Sequence, residues 1–168
     1  MSKKILSAAI AFFISATLFA QVPANDTSAP CFHEHNLPLF KMYNLDSVAF
    51  TQSVLVKFKP TIIMMFNPEC GHCQKEIEIL LSIPQIVQST QIILVSTEPL
   101  AKIKEFYLKN HLERYPFIYA GKDIKYFWGK FFKPSTIPVL AFYNAQDQFV
   151  TLHQGNMEKA EVIAALNK

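Results

Sequence analysis

The sequence predicts an α/β fold with a central mixed β-sheet flanked by helices. Two short, continuously apolar runs, residues 61–66 and 92–95, are typical of strands that are covered on both faces of a sheet. Segments with a helical period separate such runs, and a strand pair with a turn between its members precedes a last helix. Strands that alternate with helices and end in a hairpin indicate parallel and antiparallel pairs within one sheet.

Four helices are predicted from apolar residues that recur every three or four positions. These residues are Cys73, Ile77, Leu80 and Leu81 in the first helix, Leu100, Ile103 and Tyr107 in the second, Ile124, Phe127, Trp128 and Phe131 in the third, and Val162, Ile163 and Leu166 in the last. Pro84 closes or kinks the first helix, because proline disrupts a helix interior. Residues 139–143 and 148–152 are the hairpin strands, and the NAQD segment between them is the turn.

The first 20 residues have the layout of a secretory signal peptide. Two lysines precede an almost purely apolar run from Ile5 to Ala20, and a polar, proline-containing stretch follows. This pattern predicts cleavage after Ala20, and we expect a linker or N-terminal extension over residues 21–36 and one domain over residues 37–168. The alternative is an uncleaved membrane anchor, although a span needs about 20 apolar residues and this run is shorter.

Export would place the chain in the periplasm or outside the cell, in an oxidising environment where a disulfide can persist. The chain has 16 basic and 13 acidic residues, and two of the lysines belong to the signal segment, so the mature net charge is about +1. That balance gives no electrostatic case for nucleic acid or an anionic membrane as a partner. We expect a monomer that contacts a membrane only if the N-terminal segment stays uncleaved.

The segment FNPECGHCQKEI places Cys70 and Cys73 where the first predicted strand meets the first helix. Such a pair is a structural disulfide, half of a metal site, or a dithiol that cycles electrons. At a helix start, unpaired N–H groups and the helix dipole favour negative charge, and such surroundings lower the pKa of a cysteine thiol. Cys70 is therefore the expected nucleophile, and Cys73, one turn later and facing the core, is the expected resolving thiol.

Three residues beside the cysteines complete this interpretation. Gly71 permits a partner chain to come close, and His72 can add positive charge beside the thiolate of Cys70. Glu76, one helical turn after Cys73, either relays a proton for that thiol or only complements the helix dipole. The sequence leaves these two roles of Glu76 open.

The sequence resembles the thioredoxin superfamily, and more narrowly the exported TlpA- and ResA-type thiol-disulfide oxidoreductases. The resemblance runs from about Leu37 to Lys168 and is carried by CGHC after an apolar strand and by the later STIPVLAFYN. It implies a thioredoxin-like fold in which Pro138 is a cis-proline against the active-site disulfide and the backbone of Ile137 pairs with an extended substrate segment. It also implies electron exchange between the Cys70–Cys73 pair and protein disulfides, an upstream redox partner, and no cofactor beyond that pair.

Two positions depart from the thioredoxin pattern, in which Trp precedes the first cysteine and a buried Asp lies six residues before it. Here these positions hold Glu69 and Met64, so the usual proton acceptor for the resolving thiol is missing. Glu76 instead matches the glutamate of the Cys-x-x-Cys-x-x-Glu pattern of ResA-like proteins. The Gly-His dipeptide between the cysteines matches the disulfide isomerases rather than thioredoxin.

Two other functional classes stay open beside the oxidoreductase. The first is a copper metallochaperone on the same fold, with Cys70, Cys73 and a histidine as ligands. The second is a non-catalytic thioredoxin-like binding module.

Two further groups of residues have alternative interpretations. Cys31, His33 and His35 alternate along an extended segment in a spacing that could hold copper or zinc, but such residues near a terminus are more often solvated, and we predict no metal site. Cys31 is the odd thiol of the chain. The aromatic residues within 126–132 either edge a hydrophobic substrate groove or belong to the core.

Overall fold

Residues 25–168 are described by a computed structural model, and the predicted signal peptide, residues 1–20, lies outside the described residues. The strands are β1 (Lys41–Asn44), β2 (Ala49–Thr51), β3 (Thr61–Met65), β4 (Gln91–Ser96), β5 (Ile118–Lys122), β6 (Val139–Tyr143) and β7 (Phe149–Gln154). The helices are α1 (Gly71–Leu81), α2 (Pro84–Ser89), α3 (Leu100–Lys109), α4 (Phe127–Phe132) and α5 (Lys159–Leu166).

These strands form one sheet with the order β2-β1-β5-β4-β3-β6-β7. Strands β3, β4 and β5 run parallel to one another. Strand β6 is antiparallel to β3, β7 is antiparallel to β6, and β1 is antiparallel to both β2 and β5. This arrangement confirms the predicted α/β fold with a central mixed sheet flanked by helices. None of the helices in residues 25–168 is long and apolar enough to cross a membrane.

The two faces of the sheet are covered by different parts of the chain. Along β3, Ile62 and Met64 face a core shared with α1, α2, α3 and α5, whereas Ile63 and Met65 face a core shared with α4. Successive side chains of a strand point to opposite faces, and every residue of β3 and β4 is buried. This burial on both faces explains why the two strands are continuous apolar runs in the sequence.

Two helix boundaries differ from the predicted ones. Helix α1 ends at Leu81, and Pro84 begins α2 instead of closing or kinking α1, since the missing N–H of proline is tolerated at the first helical position. Helix α4 begins after Ile124, which is 59% exposed and contributes nothing to the core. Its first turn is stabilised by the carboxylate of Asp123, which accepts a hydrogen bond from Trp128 N at 2.9 Å.

Strands β1, β2 and β5 are absent from the sequence-based prediction. Strands β1 and β2 form the edge hairpin of the sheet, and most of their residues are exposed or only partly buried. Strand β5 has the sequence IYAGK, in which a glycine and a lysine interrupt the apolar pattern. These strands are held by pairing with their neighbours and lack the local apolar run by which β3 and β4 were predicted.

Part of the predicted linker packs on the domain. Residues 30–32 form a short 3-10 helix whose Cys31 is fully buried, beside the fully buried Ala29. Both residues belong to the core that contains α4. Lys133 Nζ donates a hydrogen bond to Ser28 Oγ at 2.7 Å and so ties this segment to the end of α4.

Gly121 of β5 has no room for a side chain. A methyl group on it would lie 2.7 Å from the carbonyl oxygen of Tyr43 on the paired strand β1 and 2.7 Å from the ring of Phe50. Because a paired backbone carbonyl cannot give way without breaking the ladder, we expect Gly121→Ala to lower the free energy of unfolding by about 1–3 kcal/mol. The matched control is Gly71→Ala, where a methyl group meets nothing within 4 Å. Equal urea midpoints for both variants would contradict this expectation.

Candidate functional site

The turn between β3 and α1 places the cysteine pair at one end of the sheet. Phe66 N donates to Val95 O at 2.9 Å and so prolongs the pairing of β3 with β4 by one residue. The side-chain oxygen of Asn67 then accepts a hydrogen bond from Glu69 N at 2.8 Å, and Cys70 N donates to Asn67 O at 3.0 Å. This closed turn makes Cys70 the residue that precedes the first turn of α1.

The two cysteines of the pair have different surroundings. Cys70 is partly exposed, whereas Cys73 is fully buried among the side chains of β3 and α1, as the sequence predicts. Burial raises the pKa of the Cys73 thiol to about 12, and the neighbouring Cys70 and Glu76 act in the same direction. Cys70 is therefore the thiol that an incoming disulfide can reach, and Cys73 is a thiol that does not ionise unaided at neutral pH.

Glu76 is fully buried one turn further along α1. Its Oε2 accepts hydrogen bonds from Asn156 Nδ2 at 2.8 Å and from Met157 N at 3.0 Å, whereas its buried Oε1 has no partner in residues 25–168. Burial raises the pKa of this carboxyl, and the two hydrogen bonds oppose that rise. A glutamate that only complements the helix dipole is expected to be solvated, whereas Glu76 is fully buried.

His72 is exposed on the first turn of α1 and contacts the same loop as Glu76. Its Nδ1 lies 3.0 Å from Asn156 Oδ1, and its carbonyl oxygen accepts a hydrogen bond from Asn156 Nδ2 at 2.7 Å. Asn156 is absent from the sequence-based candidates. The only local signal for it is its place directly after Gly155, at the end of the last strand.

The Ile137–Pro138 peptide bond is cis and directly precedes β6. Gly155 N donates to Pro138 O at 2.8 Å. The buried Gln154 holds the preceding residues, because its Oε1 accepts hydrogen bonds from Ser135 N at 2.8 Å, Ser135 Oγ at 2.9 Å and Thr136 N at 3.2 Å. Gln154 is a second residue that the sequence analysis did not identify.

The register of the sheet brings these segments together. Met65, the last residue of β3, pairs with Val139, the first of β6, and Val139 also pairs with Gln154, the last of β7. The CGHC turn, the Ile137–Pro138 peptide and residues 154–157 therefore meet at the same end of the sheet. Gly155 has a φ of +90°, a conformation that glycine adopts without strain, and it lets Gln154 bind one segment and Asn156 the other.

Two cavities flank this end of the sheet. One, of about 280 Å³, is lined by Cys70 and Gly71 on one side and by Lys102 and Phe106 of α3 on the other. The second, of about 170 Å³, has Ile137 and Tyr126 in its wall. The predicted substrate-contacting residues Gly71 and Ile137 thus each border a cavity.

The predicted alternatives outside this site have different outcomes. The segment with Cys31, His33 and His35 is not an extended strand: Cys31 is buried in a 3-10 helix, whereas both histidines are exposed. Within residues 25–168, no group of three or more His, Cys, Asp or Glu side chains is arranged to hold a metal ion. Burial raises the pKa of the Cys31 thiol to about 11.

The aromatic segment 126–132 belongs mainly to the core. Trp128, Phe131 and Phe132 are buried against β3 and β6, because helix α4 turns this face toward the sheet. Tyr126 is 50% exposed and is the member of the segment that borders the site, through the cavity beside Ile137. The groove interpretation is therefore wrong for the three buried rings.

No protein-family profile and no curated protein sequence matches this chain. Solved structures do match. A secreted Mycobacterium tuberculosis disulfide oxidoreductase homologous to E. coli DsbE aligns with a TM-score of 0.61 and 19% identity over 75% of this chain and 92% of that one. A thioredoxin-family thiol:disulfide interchange protein from Chlorobium tepidum aligns with a TM-score of 0.62 and 19% identity over 79% and 94% of the two chains. StoA from Bacillus subtilis aligns with a TM-score of 0.58 and 18% identity over 76% and 96%.

At these identities the likeness concerns the fold. It confirms that this chain has the thioredoxin-like fold that the sequence resemblance implies. The chain is thus a thioredoxin-fold protein with a Cys-Gly-His-Cys segment at the start of its first helix.

The raised pKa of Glu76 predicts a pH dependence of stability. Because the folded protein binds this carboxyl proton more tightly than the unfolded chain, the stabilising contribution is complete below the ordinary pKa of 4.5 and is lost as the pH rises through the folded value. We therefore expect the wild type to lose stability from about pH 4.5 upward, relative to the non-titrating Glu76→Gln variant. Urea midpoints measured across this window test the prediction. The control is Glu78→Gln, which replaces an exposed glutamate of the same helix. If the urea midpoints of wild type and Glu76→Gln change in parallel with pH, the prediction is wrong.

Proposed function

We propose that this protein is an exported thiol-disulfide oxidoreductase that exchanges electrons between its Cys70–Cys73 dithiol and protein disulfides. One observation carries the proposal: a partly exposed Cys70 precedes the first turn of α1, with the buried Cys73 one turn behind it. The Ile137–Pro138 peptide lies at the same end of the sheet. The fold adds support, because the similar solved structures carry the names of a disulfide oxidoreductase and a thiol:disulfide interchange protein.

The reaction proceeds in two exchanges. The thiolate of Cys70 attacks one sulfur of a substrate disulfide, so a Cys70–substrate disulfide forms and the other substrate sulfur leaves as a thiolate that takes up a proton. Cys73, deprotonated, then attacks the Cys70 sulfur and releases the second substrate thiolate. Two electrons pass to the substrate, which becomes a dithiol, and the Cys70–Cys73 disulfide forms. The reverse sequence oxidises a substrate dithiol.

The second exchange needs a base for Cys73. With a pKa of about 12, its thiol holds its proton at neutral pH. We assign Glu76 to this task, because the carboxylate is buried one helical turn away and its pKa is raised toward the range of a useful base. The proton moves from Cys73 to the carboxylate of Glu76 in this exchange and returns in the reverse one.

The other predicted residues act on the substrate. The backbone of Ile137 pairs with an extended substrate segment, Pro138 keeps that segment against the cysteines, and Gly71 lets it approach Cys70. His72 adds positive charge beside the thiolate. Its exposure on the first turn of α1 supports that role.

We also propose a narrower identity, a direction of electron flow, a location and a redox partner for this protein. The narrower TlpA- and ResA-type identity, a reductase or isomerase direction, export to the periplasm and an upstream redox partner all follow from the sequence resemblance. Among the similar structures, one protein is described as secreted and another, from Streptococcus pneumoniae, as an exposed lipoprotein thioredoxin.

Reduction of insulin would separate the oxidoreductase function from a non-catalytic binding module. Tight copper binding by the reduced protein would favour the metallochaperone.

The order of attack predicts which variant traps substrates. Cys73→Ala removes the resolving thiol, so mixed disulfides with Cys70 should accumulate and appear in mass spectra as reductant-sensitive adducts. The control is the Cys70→Ser, Cys73→Ala double variant, which should form none of them. Adducts that persist in the double variant would mean that Cys70 is not the nucleophile.

The hydrogen bonds from residues 135–136 to Gln154 predict an effect of Gln154 on substrate binding. In Gln154→Ala these residues lose three hydrogen bonds and are no longer held in place for the substrate. We expect this to weaken substrate binding by about 1 kcal/mol, which raises KM for a peptide disulfide about fivefold. The rate at which iodoacetamide alkylates Cys70 should stay unchanged. Gln146→Ala, in the exposed hairpin turn, is the matched control. An unchanged KM, or an equal loss of Cys70 reactivity, would contradict the positioning role.

A further inference from the structure

The side-chain amide of Asn156 joins the exposed and the buried parts of α1. Its Nδ2 donates to His72 O at 2.7 Å and to Glu76 Oε2 at 2.8 Å, and its Oδ1 lies 3.0 Å from His72 Nδ1. The amide therefore uses both of its hydrogens and its oxygen on residues of a single helix that lie 80 and 84 positions earlier in the sequence.

The chemistry of the partners fixes the orientation of this amide. The backbone oxygen of His72 can only accept a hydrogen bond, and Oε2 of Glu76 also accepts one from Met157 N. The nitrogen of Asn156, which carries the hydrogens, must therefore face these two oxygens. The oxygen of Asn156 must then face His72, and His72 Nδ1 must carry the hydrogen that it accepts.

The same reasoning separates the two oxygens of Glu76. Oε2 accepts from Asn156 and from the backbone N–H of Met157, so a proton placed there would oppose two donors. Oε1 is buried and has no partner among the described residues. The carboxyl can thus hold a proton on Oε1 without losing either hydrogen bond.

We propose that Asn156 is a positioning residue for the thiol-disulfide exchange, which holds Glu76 so that Oε2 stays an acceptor and Oε1 is the atom that exchanges a proton with Cys73. This inference rests on the proposed function and deepens it. In the resolving step the Sγ–H bond of Cys73 breaks and an O–H bond forms at Oε1. The Cys73 thiolate then attacks the Cys70 sulfur, so the Cys70–Cys73 disulfide forms, the Cys70–substrate disulfide breaks, and the substrate sulfur leaves as a thiolate.

The charged and titratable groups around Glu76 are few. Lys75 on α1 and His153 on β7 act electrostatically on this carboxyl, and the carboxyl acts on Cys73. His153 Nε2 also lies 3.1 Å from the carbonyl oxygen of Asn156. Lys75 and His153 favour the charged carboxylate, and burial opposes it, so the donor from Asn156 belongs to a small set of groups that decide when Glu76 ionises.

Removal of Asn156 should therefore change when Glu76 accepts a proton. Asn156→Ala takes away one of two donors to the charged form and should raise the apparent pKa of Glu76 by about 1, from the usual strength of a hydrogen bond to a charged group. Asn156→Asp keeps an acceptor for His72 Nδ1 but sets a second carboxylate beside Glu76, so its shift should be upward and larger. The pH midpoint of the resolving step should move upward with the carboxyl.

Two measurements test the inference on the full-length protein. Carbon-13 NMR follows the titration of the Glu76 carboxyl, which is identified by its absence in Glu76→Gln. Stopped-flow absorbance follows the release of thionitrobenzoate from a mixed disulfide on Cys70 as a function of pH. Asn167→Ala, an exposed asparagine at the end of α5, is the matched control and should leave both profiles unchanged.

Parallel upward shifts of both profiles in Asn156→Ala and Asn156→Asp would support the inference. A lowered melting temperature with an unmoved Glu76 titration in both variants would overturn it and leave Asn156 a purely structural residue. A moved titration with an unmoved release profile would overturn the link to Cys73. If the wild type releases no thionitrobenzoate at any pH, the proposed function fails, while the NMR titration still decides whether Asn156 controls Glu76.

Discussion

The antiparallel pairing of β3 with β6 is the constraint on which the rest of the site depends. Because Met65 lies opposite Val139, the chain that leaves β3 and the chain that enters β6 meet at one end of the sheet. That register joins a cysteine pair and a proline peptide that are distant in the sequence. A slip of one residue would exchange the two faces of β6 between the two cores, so apolar packing on both sides keeps the site assembled.

The same packing creates a chemical conflict, because the core that fixes α1 also surrounds Cys73 and Glu76. Both groups are fully buried, and burial disfavours their charged forms. Donors from the loop after β7 offset part of this penalty for Glu76. The strand beside the cysteine pair carries the apolar Met64, and the buried carboxyl of Glu76 lies on helix α1.

The parts of the fold that could be predicted from sequence are those with a local cause. Strands β3 and β4 are apolar at nearly every position, and the cysteine spacing marks the start of α1. Strand β5 is defined by pairing with β1 and β4, which are distant in the sequence, and β1 and β2 form an edge hairpin that is mostly exposed or partly buried, so none of the three has a continuous apolar run. Asn156 and Gln154 were missed for the same reason: an asparagine or glutamine after a strand is ordinary until the opposite segment is in place.

The burial of Cys31 affects how the protein responds to oxidants. Of the three cysteines in the sequence, Cys31 is closed off from water in the core on the α4 face, and Cys73 lies in the other core. The intervening sheet separates these two sulfurs, and burial keeps the Cys31 thiol protonated. Disulfide scrambling within one chain therefore has no third partner, and an alkylating agent meets a single accessible thiol, which makes the protein suitable for stoichiometric labelling at one position.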